Sequence, residues 1–563
     1  MPGVVDSIRY ALAAGACFAA VACGPSSSGG PAPRSATSAA ISEADLRQRL
    51  FLIADDSMLG RESGSLGASR TADYVAAEFR RLGLEPAGEQ GSYFQVLPLW
   101  IAAVDPRSRI EAAGTTLQVG RDFVPASLNA PAVTLEGLQV VYGGLARDSA
   151  RWISGEQAAG KLVVLYTPPG APLRGLALGG RWGQAKAIAL TTLESIGPEN
   201  VARLTTGRPV PDSGRPAGVL PILWVTQRAA QTLLGGNPDT LIPGAGGATL
   251  RGWFDIGRRP VPYPARNVIA ILRGSDPALR GQYLSLSAHN DHVGFDHFPV
   301  DHDSLRAFNR VIRPMGADSP QRPPSAEEWK QIRRILDSLR RVNRPRLDSI
   351  RNGADDDGTG TVALLEIAEA MSRGAARPRR SILFVNHTGE EAGLLGSRWF
   401  TDHPTVPLDS IVAEIDEDMI GRGRSDDLPR GAAGAAGSPT YLEVVGAKRI
   451  SREFGDSVEA ANARQPLPFL FDYTYDTPGH PLQYYCRADH YSYARYGIPA
   501  LAISRGEHLD YHQVTDEAQY IDYPDLARVA RMVYSAALVL ATMPRPPVHD
   551  VPKPRDPHAA CRQ

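Results

Sequence analysis

The sequence predicts an α/β fold in which a mostly parallel mixed sheet is sandwiched by helices and a small β-rich domain is inserted. After residue 256, apolar runs suited to buried strands (267–272, 283–287, 381–385, 411–415 and 498–503) alternate with helical patterns such as 362–371 and 526–543. Such alternation is typical of parallel sheets covered on both faces. Between residues 132 and 254 the apolar runs are short and separated by Gly and Pro, which instead indicates a β-rich unit.

Length and composition fit a protein of more than one folded unit. The chain has 563 residues, whereas single hydrophobic cores stop growing near ~250 to 300 residues. Its 60 basic and 61 acidic residues leave a formal net charge of -1. We therefore expect no nucleic-acid partner, because binding to phosphates needs a basic excess.

The N-terminus predicts export. Residues 10–22 form an apolar run behind Arg9 that suits a signal-peptide core and is too short to span a bilayer. Ala20-Val21-Ala22-Cys23 is similar to a bacterial lipoprotein cleavage box, so we expect residues 1–23 to be a signal peptide and Cys23 to carry a lipid. Plain secretion and an uncleaved anchor are the alternatives. All three place the folded part outside the cytoplasm, and the first places it on a bacterial membrane facing the periplasm.

The predicted domains follow in order along the chain. Residues 24–40, rich in Ser, Gly and Pro, are expected to be a flexible tether. The main domain is predicted at 41–131 and 256–545, the β-rich insert at 132–255, and a C-terminal tail at 546–563.

A charged insertion at 295–350 interrupts the main domain. Within it, Ser325-x-x-Glu328 is a capping box that predicts a helix, whose Trp329, Ile332, Ile335, Leu336 and Leu339 share one face. We expect a helical flap.

Four of the five predicted main-domain strands end in or lead into clusters of His, Asp and Glu. Ligands of open α/β sheets gather at the carboxyl ends of strands. The clusters are His289-Asn290-Asp291-His292, His387 with Glu390-Glu391, Asp416-Glu417-Asp418, and His508 to Asp516. A further acidic run, Asp355-Asp356-Asp357, stands at the start of a helix, where the helix dipole favours anions. Each cluster alone also fits a solvated loop, but together they indicate a metal site.

The residue types indicate zinc. Nitrogen and oxygen ligands without thiolate suit Zn²⁺, and two His with several carboxylates exceed what one tetrahedral zinc requires. We expect two Zn²⁺ ions that share a carboxylate, an arrangement that recurs in aminopeptidases and activates a bridging water.

Five ordered motifs resemble the co-catalytic di-zinc aminopeptidase family, which includes bacterial leucyl aminopeptidases, aminopeptidase Y and relatives of glutamate carboxypeptidase II. The resemblance covers about residues 40 to 543 and implies the zinc exopeptidase fold, with the 132–255 insert similar to a protease-associated domain. The motifs are Ser-Ala-His289-x-Asp291-His292, Gly-Ala-Asp-Asp356-x-x-x-Gly, Gly389-Glu390-Glu391-x-Gly-Leu-Leu-Gly-Ser397, Asp418-Met419-Ile420-Gly421-Arg422 and Tyr511-His512.

The resemblance implies roles for individual residues. His289 and Asp418 are expected to hold one zinc, Glu391 and His512 the other, and Asp356 to bridge both.

The resemblance also implies residues that act beside the metals. Glu390 is the expected general base, Tyr511 is expected to donate to the developing oxyanion, and Asp291 to orient the imidazole of His289.

Other nearby residues are given different expectations. His292 is predicted to be structural, because alternation along an extended strand would point it away from Asp291. His387 is expected in the pocket or behind the ligands, and a functional role for His490 stays open.

Two further questions remain at the level of the sequence. Asp357 and the Asp416-Glu417 pair make the mouth of the site more acidic than the family pattern, which would either favour a free amino terminus or only bind a stray cation. Outside the signal, Cys486 and Cys561 are the remaining cysteines, and whether they pair is left open.

The expected function is that of an extracytoplasmic zinc aminopeptidase acting on peptides with a free N-terminus. A carboxypeptidase or dipeptidase on the same fold is the main alternative, and an arginine cluster that selects a terminal carboxylate would favour it. A non-catalytic binding protein and a glutaminyl-cyclase-like transferase are further alternatives, which the complete ligand set disfavours.

Overall fold

The main sheet carries the predicted site at one edge. Within the residues that the computed structural model describes (37–168, 181–212, 218–320, 322–375, 377–422 and 439–563), this sheet has nine strands. In spatial order they are Glu85–Pro86, Ala265–Leu272, Ser381–His387, Tyr283–His289, Ile411–Glu417, Ala500–Ser504, Tyr441–Val445 and Leu470–Asp472, with Phe94–Leu97 also paired to Ala265–Leu272. The predicted signal peptide and most of the predicted tether lie outside the described residues.

The four central strands, from Ser381–His387 to Ala500–Ser504, are parallel. They are almost wholly buried, as expected of continuous apolar runs covered on both faces. Strand residues alternate between two cores, with Val268 and Ala270 in one and Ile269 and Ile271 in the other.

Helices cover both faces of the sheet, which confirms the predicted fold class. One face packs against the helices Glu43–Ile53, Leu66–Arg81, Gly360–Arg373, Arg452–Ala463 and Tyr523–Thr542, and the other against Leu395–Asp402 and His490–Ala494. Serine caps begin several of them, since Ser42, Ser65 and Ser451 each accept a bond from a backbone N–H in the first turn. None of the described helices is both long and apolar enough to cross a bilayer.

A second sheet forms its own core. Its strands in the described residues are, in spatial order, Thr115–Gln118, Arg109–Ala112, Gly246–Phe254, Leu138–Leu145, Leu162–Tyr166, Ala187–Thr191, Ile222–Val225 and Phe123–Pro125, with Val133–Thr134 beside Gly246–Phe254. Three of these strands precede residue 132, so the predicted start of the insert divides this sheet. The first two form a hairpin that pairs with Gly246–Phe254 and is therefore part of the same layer.

Smaller elements join this second sheet to the main domain. A three-stranded sheet combines Arg208–Pro211, Leu99–Val104 and Ile256–Pro260. In the described part of this region, three α-helices accompany the two sheets, Gly155–Ala158, Pro198–Thr206 and Gln227–Leu234.

The 295–350 insertion contains the predicted helix, Ala326–Leu339, begun by the Ser325–Glu328 capping box. It packs against a second helix, His302–Ile312, through Ala307, Ile312 and Ile332. Strands Phe295–Asp301 and Leu347–Ile350 pair at its base. The insertion is therefore a helical pair on a two-stranded stalk, and the sequence predicted only part of it.

Cys486 and Cys561 form a disulfide, which answers the question that the sequence left open.

Candidate metal centre

The predicted ligands meet at the carboxyl edge of the four parallel strands. His289 is the last residue of its strand, and Asp418 follows Ile411–Glu417 directly. Glu391 follows Ser381–His387, and His512 follows Ala500–Ser504. Because parallel strands end at a common edge, residues far apart in sequence come together.

Two groups of potential ligands share Asp356. One contains His289, Asp356 and Asp418, and the other contains His292, Asp356, Glu391 and His512, with the ligand atoms of each group within 4.8 Å of one another. His289 Nε2 lies 3.2 Å from Asp356 Oδ1 and 3.7 Å from Asp418 Oδ1. His512 Nε2 lies 2.9 Å from both Asp356 Oδ2 and Glu391 Oε2.

The three consecutive aspartates have separate tasks. Asp357 accepts from the backbone N–H groups of His289, Gly360 and Met419, so it fixes three segments of the site together. Asp355 faces His508 Nε2 at 3.1 Å. Only Asp356 turns toward the predicted ligands.

The loop that holds Asp356 is fixed from behind. Asp516 accepts from the backbone N–H groups of Asp355 and Asp356, at 3.0 and 3.2 Å for one carboxylate oxygen. Arg61 is buried behind the same loops and donates to the carbonyl oxygens of Asn290 and Gly353. The sequence placed Asp516 in a cluster but indicated no such supporting role.

The polar atoms of the cluster are suited to hold cations. Among the described residues, His289 Nε2, Asp356 Oδ2, Glu391 Oε1 and Asp418 Oδ1 are buried without a well-aligned hydrogen bond, although they face one another. Each polar atom that is buried without a hydrogen-bond partner destabilises the folded protein by about 1–3 kcal/mol. Cations bound among them would satisfy these atoms, so the residues present fit zinc.

Glu390 lies beside the cluster. Its Oε2 is 3.9 Å from His289 Nε2. Burial raises its pKa well above the usual range, and the neighbouring Glu391 and Asp418 add to the rise. A carboxyl group in this setting is suited to accept and release a proton.

Asp291 contacts both the His289 ring and the Glu390 backbone. His289 Nδ1 lies 3.1 Å from the Asp291 carbonyl oxygen and 3.7 Å from its carboxylate. The carboxylate accepts from the backbone N–H of Glu390 at 3.2 Å and from the Ser63 hydroxyl at 3.1 Å. The position of Asp291 therefore suits the predicted role of orienting the His289 ring. Asp291 also fixes the backbone of Glu390.

Tyr511 stacks close to the His512 ring, with centroids 4.0 Å apart. Arg487 Nη2 lies 3.4 Å from its hydroxyl, and Arg487 also pairs with Asp318 of the 295–350 insertion at 2.6 Å. Burial raises the pKa of Tyr511 well above its usual value, so the hydroxyl keeps its proton and can donate. The insertion supports the same loop, because the Ala317 N–H donates to the Tyr511 carbonyl.

His292 was predicted to be structural, but it lies among the potential metal ligands. It is fully buried, and its Nδ1 lies 2.8 Å from Glu391 Oε1 and 3.6 Å from Asp356 Oδ2. The alternation argument fails because the strand ends at His289, and residues 290–294 are not extended in a sheet. His292 therefore faces the cluster.

Two other histidines lie away from the ligand atoms. His387 is buried, with Nε2 3.1 Å from the Tyr493 hydroxyl. His490 is buried edge-on against Tyr485. Neither belongs to the two groups of potential ligands.

A cavity opens on each side of the cluster. The first, of about 370 Å³, is lined by Glu390, Asp418 and Tyr511 among others. The second, of about 380 Å³, is lined by His292 and Glu391 together with Arg203 and Arg208 from the region of the second sheet. Arg203 donates to the carbonyl oxygen of Val293 at 3.0 Å, which ties that region to the site. No motif in the sequence indicated these arginines.

Comparison with known proteins gives the same picture. The sequence model of Peptidase family M28 matches residues 267–537, which include every predicted metal ligand. Leucine aminopeptidase 1 of Penicillium rubens is 28% identical over 202 residues, covering 34% of this chain and 48% of that protein. Leupeptin-inactivating enzyme 1 of Streptomyces exfoliatus is 32% identical over 145 residues, covering 23% of this chain and 32% of that protein. The alignment thus spans half or less of these relatives.

A solved structure shares the fold. The structure described as an aminopeptidase from Aneurinibacillus sp. strain AM-1 covers 92% of this chain and 98% of its own, with a TM-score of 0.52 and 16% identity. The family match and this shared fold agree: residues 267–537 of this chain are similar to Peptidase family M28.

Proposed function

We propose that this protein is a zinc-dependent aminopeptidase that uses two zinc ions to hydrolyse N-terminal residues from peptides. The observation that carries the proposal is the pair of ligand groups that share Asp356. The family match and the names of the relatives, leucine aminopeptidase and leupeptin-inactivating enzyme, support it.

Each zinc has a proposed set of ligands. His289 and Asp418 would hold one ion, Glu391 and His512 the other, and Asp356 would contact both. When bound, such a pair supplies Lewis-acid polarisation of the peptide carbonyl and lowers the pKa of water.

The protein's own groups do the rest of the chemistry. Glu390 would take a proton from the attacking water and pass it to the leaving amine, as its buried carboxylate suits. The protonated hydroxyl of Tyr511 would donate to the developing oxyanion. Asp291 would hold the His289 ring and the Glu390 backbone in register with each other.

The first cavity favours a substrate with a free amine. Its walls include carboxylates of the cluster and two further glutamates, Glu443 and Glu507. An ammonium group is attracted to such a surface, whereas a carboxylate is repelled.

A dipeptidase is the second candidate, and the second cavity favours it. Arg203 and Arg208 line that cavity beside Glu391 and His512. Guanidinium groups bind carboxylates in a bidentate manner, so they would recognise the free carboxyl end of a short substrate. The two candidates differ in whether the substrate must carry that terminal carboxylate.

Chromogenic substrates test the proposal. Zinc-loaded protein should cleave leucine p-nitroanilide, lose activity with a chelator, regain it with zinc, and leave the N-acetylated substrate intact. The aminopeptidase assignment fails if the blocked substrate is cleaved as fast as the free one. A dipeptidase would instead cleave Leu-Gly and spare Leu-Gly amide.

We also propose that the protein acts outside the cytoplasm, anchored by a lipid at Cys23. The apolar run at 10–22 and the Cys486–Cys561 disulfide support this, since disulfides persist mainly in oxidising compartments. Metabolic labelling with a palmitate analogue, compared between the wild type and Cys23→Ala, tests the anchor.

The region of the second sheet is proposed to act as a protease-associated domain that shapes the second cavity. Arg203 and Arg208 are its contribution to that cavity. Replacing both arginines with Met should lower kcat/KM for long peptides or dipeptides more than kcat/KM for leucine p-nitroanilide.

A further inference from the structure

The first cavity has a built floor. The strands Tyr441–Val445 and Ala500–Ser504 run antiparallel, with Glu443 opposite Ser504 and Val445 opposite Ala502. These four residues all line the cavity, because residues two apart on a strand face the same side. The cavity therefore rests on one face of two paired strands, with the proposed metal centre at its edge.

Two buried carboxylates face this cavity. Glu443 is only 3% exposed and Glu507 is 6% exposed. Among the described residues, Glu443 Oε2 has no hydrogen-bond partner, and neither does the buried hydroxyl of Tyr484 in the same cavity. Polar atoms that are buried without partners around a cavity indicate a polar occupant.

The basic residues of the cavity are engaged or peripheral. Arg487 pairs with Asp318 at 2.6 Å and lies over the Tyr484 ring at 5.0 Å. Arg398 is exposed at the rim. Apart from the proposed metal ligands and Glu390, the wall therefore has two glutamates and two arginines, and of the arginines Arg487 is already paired with Asp318.

Within the described residues, no ion pair joins Glu443 or Glu507 to a basic side chain, although the nearby Arg487 counteracts part of the rise in the pKa of Glu443. Burial raises the pKa of Glu507 to about 8, and Asp318 and Asp418 add to the rise. Burial also raises the pKa of Glu443 well above its usual range, with Glu507 adding to it. A cationic group placed between them would stabilise both ionised carboxylates.

The size of the cavity suits a side chain. About 370 Å³ is enough for one long side chain. Apolar walls at Met419, Val445 and Ala502 suit a methylene stem that leads to the glutamates.

We propose that this cavity selects a substrate whose N-terminal residue carries a cationic side chain, lysine or arginine, through Glu443 and Glu507. This inference rests on the proposed aminopeptidase function and names the substrate class of the same site. The methylene stem would lie along the strand floor, and the charged end would reach the two carboxylates.

The wild-type protein gives the first test. We expect kcat/KM for lysine p-nitroanilide to exceed that for norleucine p-nitroanilide, its analogue without the ammonium, by about 10- to 100-fold, the range of a charge-assisted hydrogen bond. The Nε-acetyl-lysine substrate should behave like norleucine. Free lysine should likewise inhibit hydrolysis at a concentration about 10-fold below that of free norleucine.

Variants locate the preference. Glu443→Gln and Glu507→Gln should each lower the lysine-to-norleucine ratio of kcat/KM by about 10-fold, mainly through KM for lysine. Glu156→Gln, a matched change at an exposed position in the region of the second sheet, should leave the ratio unchanged. If a pocket variant fails to fold, the proposal is still tested by the lysine-to-norleucine ratio of kcat/KM for the wild type and by inhibition with free lysine and free norleucine.

The outcomes separate this inference from the proposed function. Cleavage of leucine and norleucine substrates without a preference for lysine overturns the cavity assignment and leaves the aminopeptidase proposal standing. An equal loss for all substrates in both pocket variants also overturns it, because the glutamates would then act on the α-ammonium or on stability. Failure to cleave any free aminoacyl substrate with zinc bound instead rejects the proposed function.

Discussion

Two buried carboxylate clusters in this protein differ in what neutralises them. Behind the sheet, the buried Arg49 contacts Glu366 and Glu369 at 2.7 Å each and Glu78 at 2.5 Å. Its guanidinium supplies donors in several directions, and Arg81 adds contacts of 2.7 Å to Glu78 and Glu369, so arginines neutralise the three carboxylates. This cluster is complete without a ligand.

The carboxylates at the carboxyl edge of the sheet have different neighbours. Within the described residues, no lysine or arginine forms an ion pair with Asp356, Glu391 or Asp418, which face only imidazoles. Burial of acidic residues is therefore shared by both clusters and does not identify a metal site. What marks the second cluster as a candidate metal site is that imidazole nitrogens and carboxylate oxygens lie within 4.8 Å of one another there.

The largest expected effect concerns the adjacent glutamates at the carboxyl edge. Glu390→Gln should lower kcat by about 10² to 10⁴-fold while both zinc ions stay bound, because it removes a proton acceptor and no ligand. Glu391→Gln should lower zinc content as well, because an amide is a poorer ligand than a carboxylate. Elemental analysis beside turnover measures both. Zinc lost from the first variant and kept by the second would reverse these two assignments.

The arginine cluster should respond in stability and not in chemistry. Arg49→Met removes the ion pair of the buried Glu366 and one of the ion pairs of Glu369, which keeps Arg81, and should lower the free energy of unfolding by about 3–5 kcal/mol. The zinc content and kcat of the folded protein should not change. Arg107→Met, at a pair whose arginine side chain is 79% exposed, is the control and should cost little. Zinc loss in Arg49→Met would show that the two clusters are coupled.

Without zinc, a proton should partly replace the metal at His512. Burial alone would lower the pKa of His512, but Glu391 and Asp356 raise it to about 10, above its ordinary 6.5. A raised folded-state pKa adds stability that is present in full below pH 6.5 and is lost as the pH rises through 10. The urea midpoint of chelated protein should fall gradually across this window.

Zinc-loaded protein is the comparison for that experiment. Metal binding requires the neutral imidazole, so the loaded protein should not lose stability in the same window through His512. Equal pH profiles for the chelated and loaded forms would contradict the assignment of His512 as a ligand.

The smallest effect is expected behind the ligands. Asp291→Asn should weaken zinc binding by about 10- to 100-fold, because it removes a carboxylate that orients His289. Competition with a chelator of known affinity measures the change. Ser63→Ala removes only a hydrogen bond to Asp291 and should shift zinc affinity less. An equal effect of both changes would mean that the carboxylate charge has no part in the orientation.

The central sheet and its ligand edge were predictable from sequence because both depend on local signals. Continuous apolar runs predict buried parallel strands, and the clusters after them include His289, Glu391 and Asp418. These residues are close in space because the carboxyl ends of neighbouring parallel strands lie side by side. No long-range information was therefore needed to group them.

Residues whose neighbours come from distant segments were not predictable in the same way. Glu443 and Glu507 stand in no motif, and they share a cavity only because two antiparallel strands meet there. Arg203 reaches the site from the region of the second sheet. His292 was placed wrongly because the end of its strand, which decides its direction, has no sequence signal of its own.

The disulfide fastens the end of the chain to the wall of the substrate cavity. Cys486 lines the first cavity beside Arg487, and its partner Cys561 lies in the tail beyond the family-matched segment. A protein shortened to residue 545 would thus carry an unpaired thiol in the wall of a cavity that proposed zinc ligands also line. Thiolate is a strong zinc ligand, so such a shortened protein would be exposed to metal capture and oxidation that the full chain avoids.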